Sequence, residues 1–302
     1  MWSPTEDRAL REAARAWLDD VTLNGSLSVS REQLSAFEFN GERIPLIDRH
    51  KGIRKPRMLT AALSFVTTYR PAGRERPYDD AVGEDRLPRY KWRGTDPMNA
   101  DNRALRSAME QQLPLIWFWG IGPGEFTPIY PVYLLDEEPA DHQFIVALGE
   151  HLSFSHDQLV ATELMRKWTT QTVTRRVHQP VFRQLVMRAY QTRCTICELR
   201  HGVLLDAAHI VEDKDPRGVA APHNGLALCK IHHAAYDAGI IGVRPDYEIE
   251  IRQDILDEID GPMLEHGIKS LHGEKLRVIP KSRSERPSQS LLQVHYERFL
   301  NA

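Results

Sequence analysis

Three cysteines constrain this chain more than any other feature, because all of them fall within one short block. The run CTIC sets Cys194 and Cys197 two residues apart, and further on CKIHHAAYD supplies Cys229, His232, His233 and Asp237. A tetrahedral zinc ion needs four soft or borderline donors, and two short ligand pairs joined by a longer loop provide them. Cys194, Cys197, Cys229 and His232 form such a Cys3His set, with the same spacing inside each pair. Buried, reduced cysteine is the ordinary alternative, but here usage and spacing coincide. The four residues are therefore expected to hold a structural Zn²⁺.

A second site follows from helix geometry. If residues 228–238 are helical, His233 and Asp237 are i,i+4 neighbours on one face. Cys229 and His232 then face the zinc at i,i+3, and one helix serves two metals from two sides. The other division, Cys229 with His233 on zinc, leaves His232 beside Tyr236, a poor pair for a hard cation. The first division is the better one.

His209 in LLDAAHIV, Asn224 in HNGLALC and His233, framed by the two short ligand pairs, together resemble the HNH (ββα-metal) nuclease motif. The resemblance implies that His209 is the general base and Asn224 organises the loop. It gives His233, with Asp237, to a catalytic divalent ion, Mg²⁺ or Mn²⁺. The family commonly places Asp or His immediately before the base, where this chain has Ala208. Either Asp237 compensates or Asp206 reaches in as a further ligand.

With 302 residues and 41% hydrophobic content, the chain has room for two domains and a real core. No apolar run approaches the ~18 residues of a membrane span, so no membrane partner is expected. The charged N-terminus MWSPTEDRALREAARAW lacks a signal-peptide core, which points to a cytoplasmic protein. With their use already assigned, the cysteines are not expected in disulfides. The net charge of −3 does not suggest nucleic acid, but Lys and Arg outnumber Asp and Glu from Arg43 to Arg106. Such a basic segment is commonly a solvated face, and it is also what phosphate contact requires.

Along the N-terminal half, Thr5–Asp20 reads as a helix capped by Thr5, and a second helix starts at Ser30. Asn40-Gly41 between short apolar runs predicts a hairpin on a type I′ turn. Strands are expected at residues 63–68, 114–119, 129–134 and 144–148, a helix at 102–111, and a loop at 70–89. The string PYDD…RYKW…DNRAL…PLIWFWG…FTPIYPVYLL is similar to the SRA domain, a PUA-like fold that flips out and reads 5-methylcytosine. That similarity implies Tyr78 and Tyr90 stacked on the flipped base, with Asp80 or Asp79 accepting from its exocyclic amine. Aromatic faces and a carboxylate are what an extruded base needs; tyrosines packed on neighbouring strands and turn aspartates are the plain alternative. Arg89, Lys91, Arg93, Arg103 and Arg183 are candidate DNA-backbone contacts.

The expectation is an α+β chain in three parts. Residues 1–150 form a curved β-sheet or barrel of SRA type with N-terminal helices, 151–178 a helical linker, and 179–302 a zinc-stabilised ββα-metal nuclease domain. The function implied is a modification-dependent endonuclease acting on cytosine-modified double-stranded DNA as a homodimer. Two alternatives stay open: an HNH nuclease reading plain sequence or another modification, and an inactive zinc-stabilised DNA-binding module.

Overall fold

The structure is a computed structural model that describes residues 1–69, 88–148, 179–212, 215 and 217–301. The chain divides into two compact units, Met1–Val181 and Phe182–Ala302. The expected linker at 151–178, and Tyr78, Asp79 and Asp80 of the expected base pocket, lie outside the described residues. Among the described residues, no helix is long and apolar enough to cross a membrane.

The first unit begins with helix α1 (Pro4–Val21). Its cap is Ser3 rather than Thr5: the Ser3 hydroxyl accepts from the Glu6 amide while the Glu6 carboxylate accepts from the Ser3 amide. Pro4 explains the shift, because proline fits the first helical position, where its missing N–H costs nothing, and the cap must precede it. Leu10, Ala14 and Leu18 are fully buried. Arg11, also buried, donates to Asp7 and to the carbonyls of Pro114 and Ala62, so its charge is satisfied inside the unit. Helix α2 (Arg31–Ala36) carries a second capping box, Ser30 with Gln33. Strands β2 (Glu38–Phe39) and β3 (Glu42–Arg43) pair across Asn40 and Gly41, whose φ values of 51° and 77° are those of the type I′ turn.

A seven-stranded sheet, curled into a half-barrel, forms the body of this unit. Its members are β1 (Val29–Ser30), β4 (Ile53–Arg54), β5 (Ser64–Thr67), β6 (Arg89–Lys91), β7 (Leu115–Gly122), β8 (Glu125–Glu138) and β9 (Gln143–Leu148). They run in the order β4-β5-β7-β8-β9-β6, with β1 beside β8; β5 and β7 are parallel and the remaining pairs antiparallel. The bulge in β8 between Leu134 and Asp136 bends the strand, as an extra unpaired residue does. Strands β7 and β8 run longer than expected because sheet pairing carries the backbone through Gly120, Gly122 and Pro128. Helix α3 (Ala100–Glu110) buries Ala104, Leu105 and Ala108.

Helix α4 (residues 179–189), which belongs to the second unit from Phe182 onward, leads into a compact ββα element. Strands β10 (Leu205–His209) and β11 (Gly225–Cys229) are antiparallel, with Leu205 opposite Cys229 and His209 opposite Gly225. Helix α5 (Lys230–Asp237) follows directly and packs on both strands. A hairpin of β12 (Ile241–Val243) and β13 (Ile249–Ile251), the short helices α6 (Gln253–Asp257) and α7 (Pro262–Gly267), and helix α8 (Gln289–Leu300) complete the unit. Phe182, Val186, Tyr190, Leu226, Leu228 and Leu292 share one buried core.

Candidate functional site

At one end of the β10–β11 hairpin the four expected zinc ligands meet. Their donor atoms all lie within 4.8 Å of one another. The His232 Nδ1 stands 3.5 Å from Cys194 Sγ and 3.3 Å from Cys229 Sγ, and the Cys197 and Cys229 sulfurs are 3.9 Å apart. A zinc tetrahedron with Zn–S of about 2.3 Å and Zn–N of about 2.0 Å has edges of roughly 3.5–3.8 Å. The donor set fits that ion. It fits the division in which Cys229 works with His232, since helix α5 turns His233 to another face. The His232 Nε2–H donates to the Gly267 carbonyl at 2.9 Å, which fixes the tautomer and leaves Nδ1 for the metal.

Within the cluster, hydrogen bonds from Cys194 and Cys197 hold the Cys229 thiol far below its ordinary range, while its bonds to Cys197 and Cys229 push Cys194 up. A bound dication deprotonates coordinating thiols outright. The knuckle is also tied to the chain's C-terminal part. Thr195, between the two cysteine positions, donates from its hydroxyl to the Val278 carbonyl at 2.6 Å, and its own carbonyl accepts from the amides of Arg277 and Val278.

At the other end of the hairpin stands His209. Its ring stacks on Phe182 of α4 at a centroid distance of 3.9 Å and an angle of 14°. Asn224, fully buried, clasps the strand beyond it. The Asn224 Oδ1 accepts from the Val211 amide at 2.9 Å, and Nδ2 donates to the carbonyls of Val211 at 2.9 Å and Val219 at 3.1 Å. The Ile210 amide, next to His209, donates to the Asn224 carbonyl. One side chain therefore spans the loop between β10 and β11 and fixes the backbone two residues from His209.

On α5, His233 Nε2 lies 3.3 Å from Asp237 Oδ2, and its Nδ1 lies 4.0 Å from Asp206 Oδ2 on β10. An imidazole nitrogen and a carboxylate oxygen both ligating a cation at about 2.1 Å, at a right angle, stand about 3 Å apart. The His233–Asp237 pair fits two adjacent positions of such a shell. His233 is 26% exposed and Asp237 65%, so the pair opens to solvent. Asp206 serves differently. It sits 3.4 Å from Lys230 Nζ and 3.5 Å from Arg183 Nε, and approaches the opposite edge of the His233 ring.

Arg183 is therefore not turned to phosphate. Its guanidinium donates to the carbonyls of Gly202 and Leu205 as well as facing Asp206. In the first unit, Arg89 is buried and makes a bidentate pair with Glu138, which takes it out of phosphate contact. Lys91 donates to the Asp141 carbonyl, Arg93 pairs with Asp101, and Arg103 is exposed. Tyr90 lies on β6 and is 7% exposed. Its ring meets Phe65 at 4.5 Å and Trp117 at 6.5 Å. The structure thus brings His209 and Asn224 together at one end of the hairpin, and His233 together with Asp206 and Asp237. Sequence reasoning missed the contact of Phe182 with His209, although the apolar stripe of α4 carries it.

The ββα element, with a Cys3His cluster at one end and a clasped histidine at the other, is the part of the chain on which the family comparison falls. Residues 194–244 match the family model described as HNH endonuclease. No curated protein matches the chain. Among solved structures, the "Modification dependent TagI restriction endonuclease" is similar at 15% identity, over 82% of this chain and 85% of that one, with a TM-score of 0.31.

Proposed function

We propose that the chain is a modification-dependent DNA endonuclease. In the second unit, His209 takes the proton from a water whose oxygen attacks phosphorus in line with the leaving 3′ oxygen. The observation that supports this reading is the Asn224 clasp, which fixes the backbone two residues from His209, and with it goes the 3.3 Å approach of His233 to Asp237 on α5. A divalent cation, Mg²⁺ or Mn²⁺, held by His233 and Asp237 would neutralise charge developing on the phosphate and the leaving oxygen. Asp206 orients His233 from the other edge of its ring. Stacking on Phe182 holds the plane of the His209 ring.

In the first unit, the proposed role is reading a C5-modified cytosine drawn out of the duplex, with Tyr78, Tyr90, Asp79 and Asp80 as pocket residues. The resemblance to the SRA domain and the basic segment from Arg43 to Arg106 support it. Tyr90 then offers a ring already braced by Phe65 and Trp117. One such nuclease site cuts one strand, so double-strand cleavage calls for two copies, and a homodimer is proposed.

His209→Ala tests the nuclease half: cleavage of duplex DNA with Mg²⁺ or Mn²⁺ is expected to vanish while zinc content and DNA binding persist. Retained cleavage would overturn the assignment of His209. Methylated, hydroxymethylated and unmodified duplexes test the reader half, and equal cutting of all three would remove it.

A further inference from the structure

The basic run Lys281 to Arg286 has no part in the site described above, yet the fold brings it to the edge of that site. It lines a cleft of about 840 Å³ formed by His223, Tyr247, Arg283, Arg286 and the start of α8 at Ser288 to Ser290. His223 precedes Asn224 in the chain, and the Ser288 amide donates to the His223 carbonyl at 2.9 Å. One wall of the cleft is thus hydrogen-bonded to the loop that positions His209. The Tyr247 hydroxyl donates to the Pro287 carbonyl, fixing the opposite wall.

Charge pairing separates these arginines from several other cations of the unit. Arg217, Arg244, Arg252 and Lys275 each face a carboxylate. Among the described residues no carboxylate pairs with Arg283 or Arg286. Arg286 is held instead by the carbonyls of Pro280 and Lys281, which orient the guanidinium without neutralising it. Both arginines are exposed. Two uncompensated guanidinium groups, that of Arg286 oriented by carbonyls, beside serine hydroxyls match the chemistry of a phosphodiester oxygen, which arginine and hydroxyl groups contact together.

We propose that this cleft is a second contact with duplex DNA, in which Arg283 and Arg286 hold backbone phosphates flanking the strand presented to His209. The proposal rests on the nuclease reading for its orientation, and its test does not depend on cleavage. Binding of the full-length chain to a plain duplex is measured by fluorescence anisotropy across salt concentrations, without divalent ion. Each phosphate neutralised adds about 0.9 to the slope of log K against log salt. The double variant Arg283→Ala/Arg286→Ala is expected to lose about 1.8 from that slope. Raising salt from about 50 to about 200 mM then weakens the wild type about tenfold more than the variant.

Arg283→Lys/Arg286→Lys should keep most of the slope, and Arg244→Ala/Lys275→Ala, which removes carboxylate-paired cations, should leave it unchanged. An unchanged slope in the alanine variant overturns the cleft. So does inorganic phosphate competing better than duplex at equal phosphate concentration, which would assign the cleft to a free anion. Failure of the nuclease reading shows separately, as cleavage indifferent to His209→Ala with the slope difference intact.

Discussion

Asn224 shows what a single side chain does in this site. It is fully buried and uses both ends of its amide on backbone groups. Asn224→Ala would leave the Val211 amide and two carbonyls without those bonds, at a cost of about 1–3 kcal/mol for each group left unsatisfied. A lower thermal midpoint and a fall in cleavage rate larger than any change in DNA affinity are expected, since the loss acts through the aim of His209. His295 gives a residue-scale pH response. Burial, and secondarily Arg298, pushes its imidazole down to about 4 from the ordinary 6.5. Its ring stacks on Tyr236 at 4.0 Å, and its Nδ1 is buried without a hydrogen-bond partner among the described residues. The unfolded chain therefore binds the extra proton between those values. The stability contributed is full above pH 6.5 and is lost as pH falls toward 4, by on the order of 3 kcal/mol. His295→Phe should flatten the fall in thermal midpoint across that window; an unchanged slope would dismiss the assignment.

Among elements, the contact of α4 with the hairpin decides how close His209 can lie to Phe182. Gly225, opposite His209 on β11, has no room for a methyl group: a Cβ there would collide with Val186 and stand 2.9 Å from Phe182 Cζ. Gly225→Ala is expected to destabilise the second unit by about 1–3 kcal/mol as α4 is pushed off the strands, read by urea denaturation. The same push should separate the Phe182 and His209 rings and reduce the ring-current shift of the His209 protons. Much of this element was legible in the chain. The i,i+4 spacing of His233 and Asp237 and the paired Cys spacing reflect helix geometry, which leaves a periodic mark. The partners of Asn224 left none, because they are backbone groups of Val211 and Val219 that any residue would supply. Strands β7 and β8 outrun their expected bounds for a related reason. Gly120, Gly122 and Pro128 lower strand propensity locally, and only the neighbouring strands override it. Ser3, by contrast, was readable, since Pro4 marks the first helical position.

For the whole molecule, the Cys3His cluster lies at the junction between the ββα element and the chain that follows it. Stripping the ion with a chelator removes the attraction holding three sulfurs and an imidazole together, so a lower thermal midpoint is expected, restored by added Zn²⁺. Double-strand cutting tests the assembly: a rate rising with the square of protein concentration at low occupancy fits two copies, and linear dependence argues for sequential nicking by one. The links from His232 to Gly267 and from Thr195 to Arg277 and Val278 add a dynamic consequence. The Arg277 and Val278 amides are closed by the carbonyl of the residue following Cys194. Their exchange with deuterium should therefore report on the ion: slow in loaded protein and fast once it leaves, ahead of exchange in the β10–β11 ladder. The C-terminal part of the chain would then be released as a cooperative segment while the hairpin persists, and a protease would find it there first.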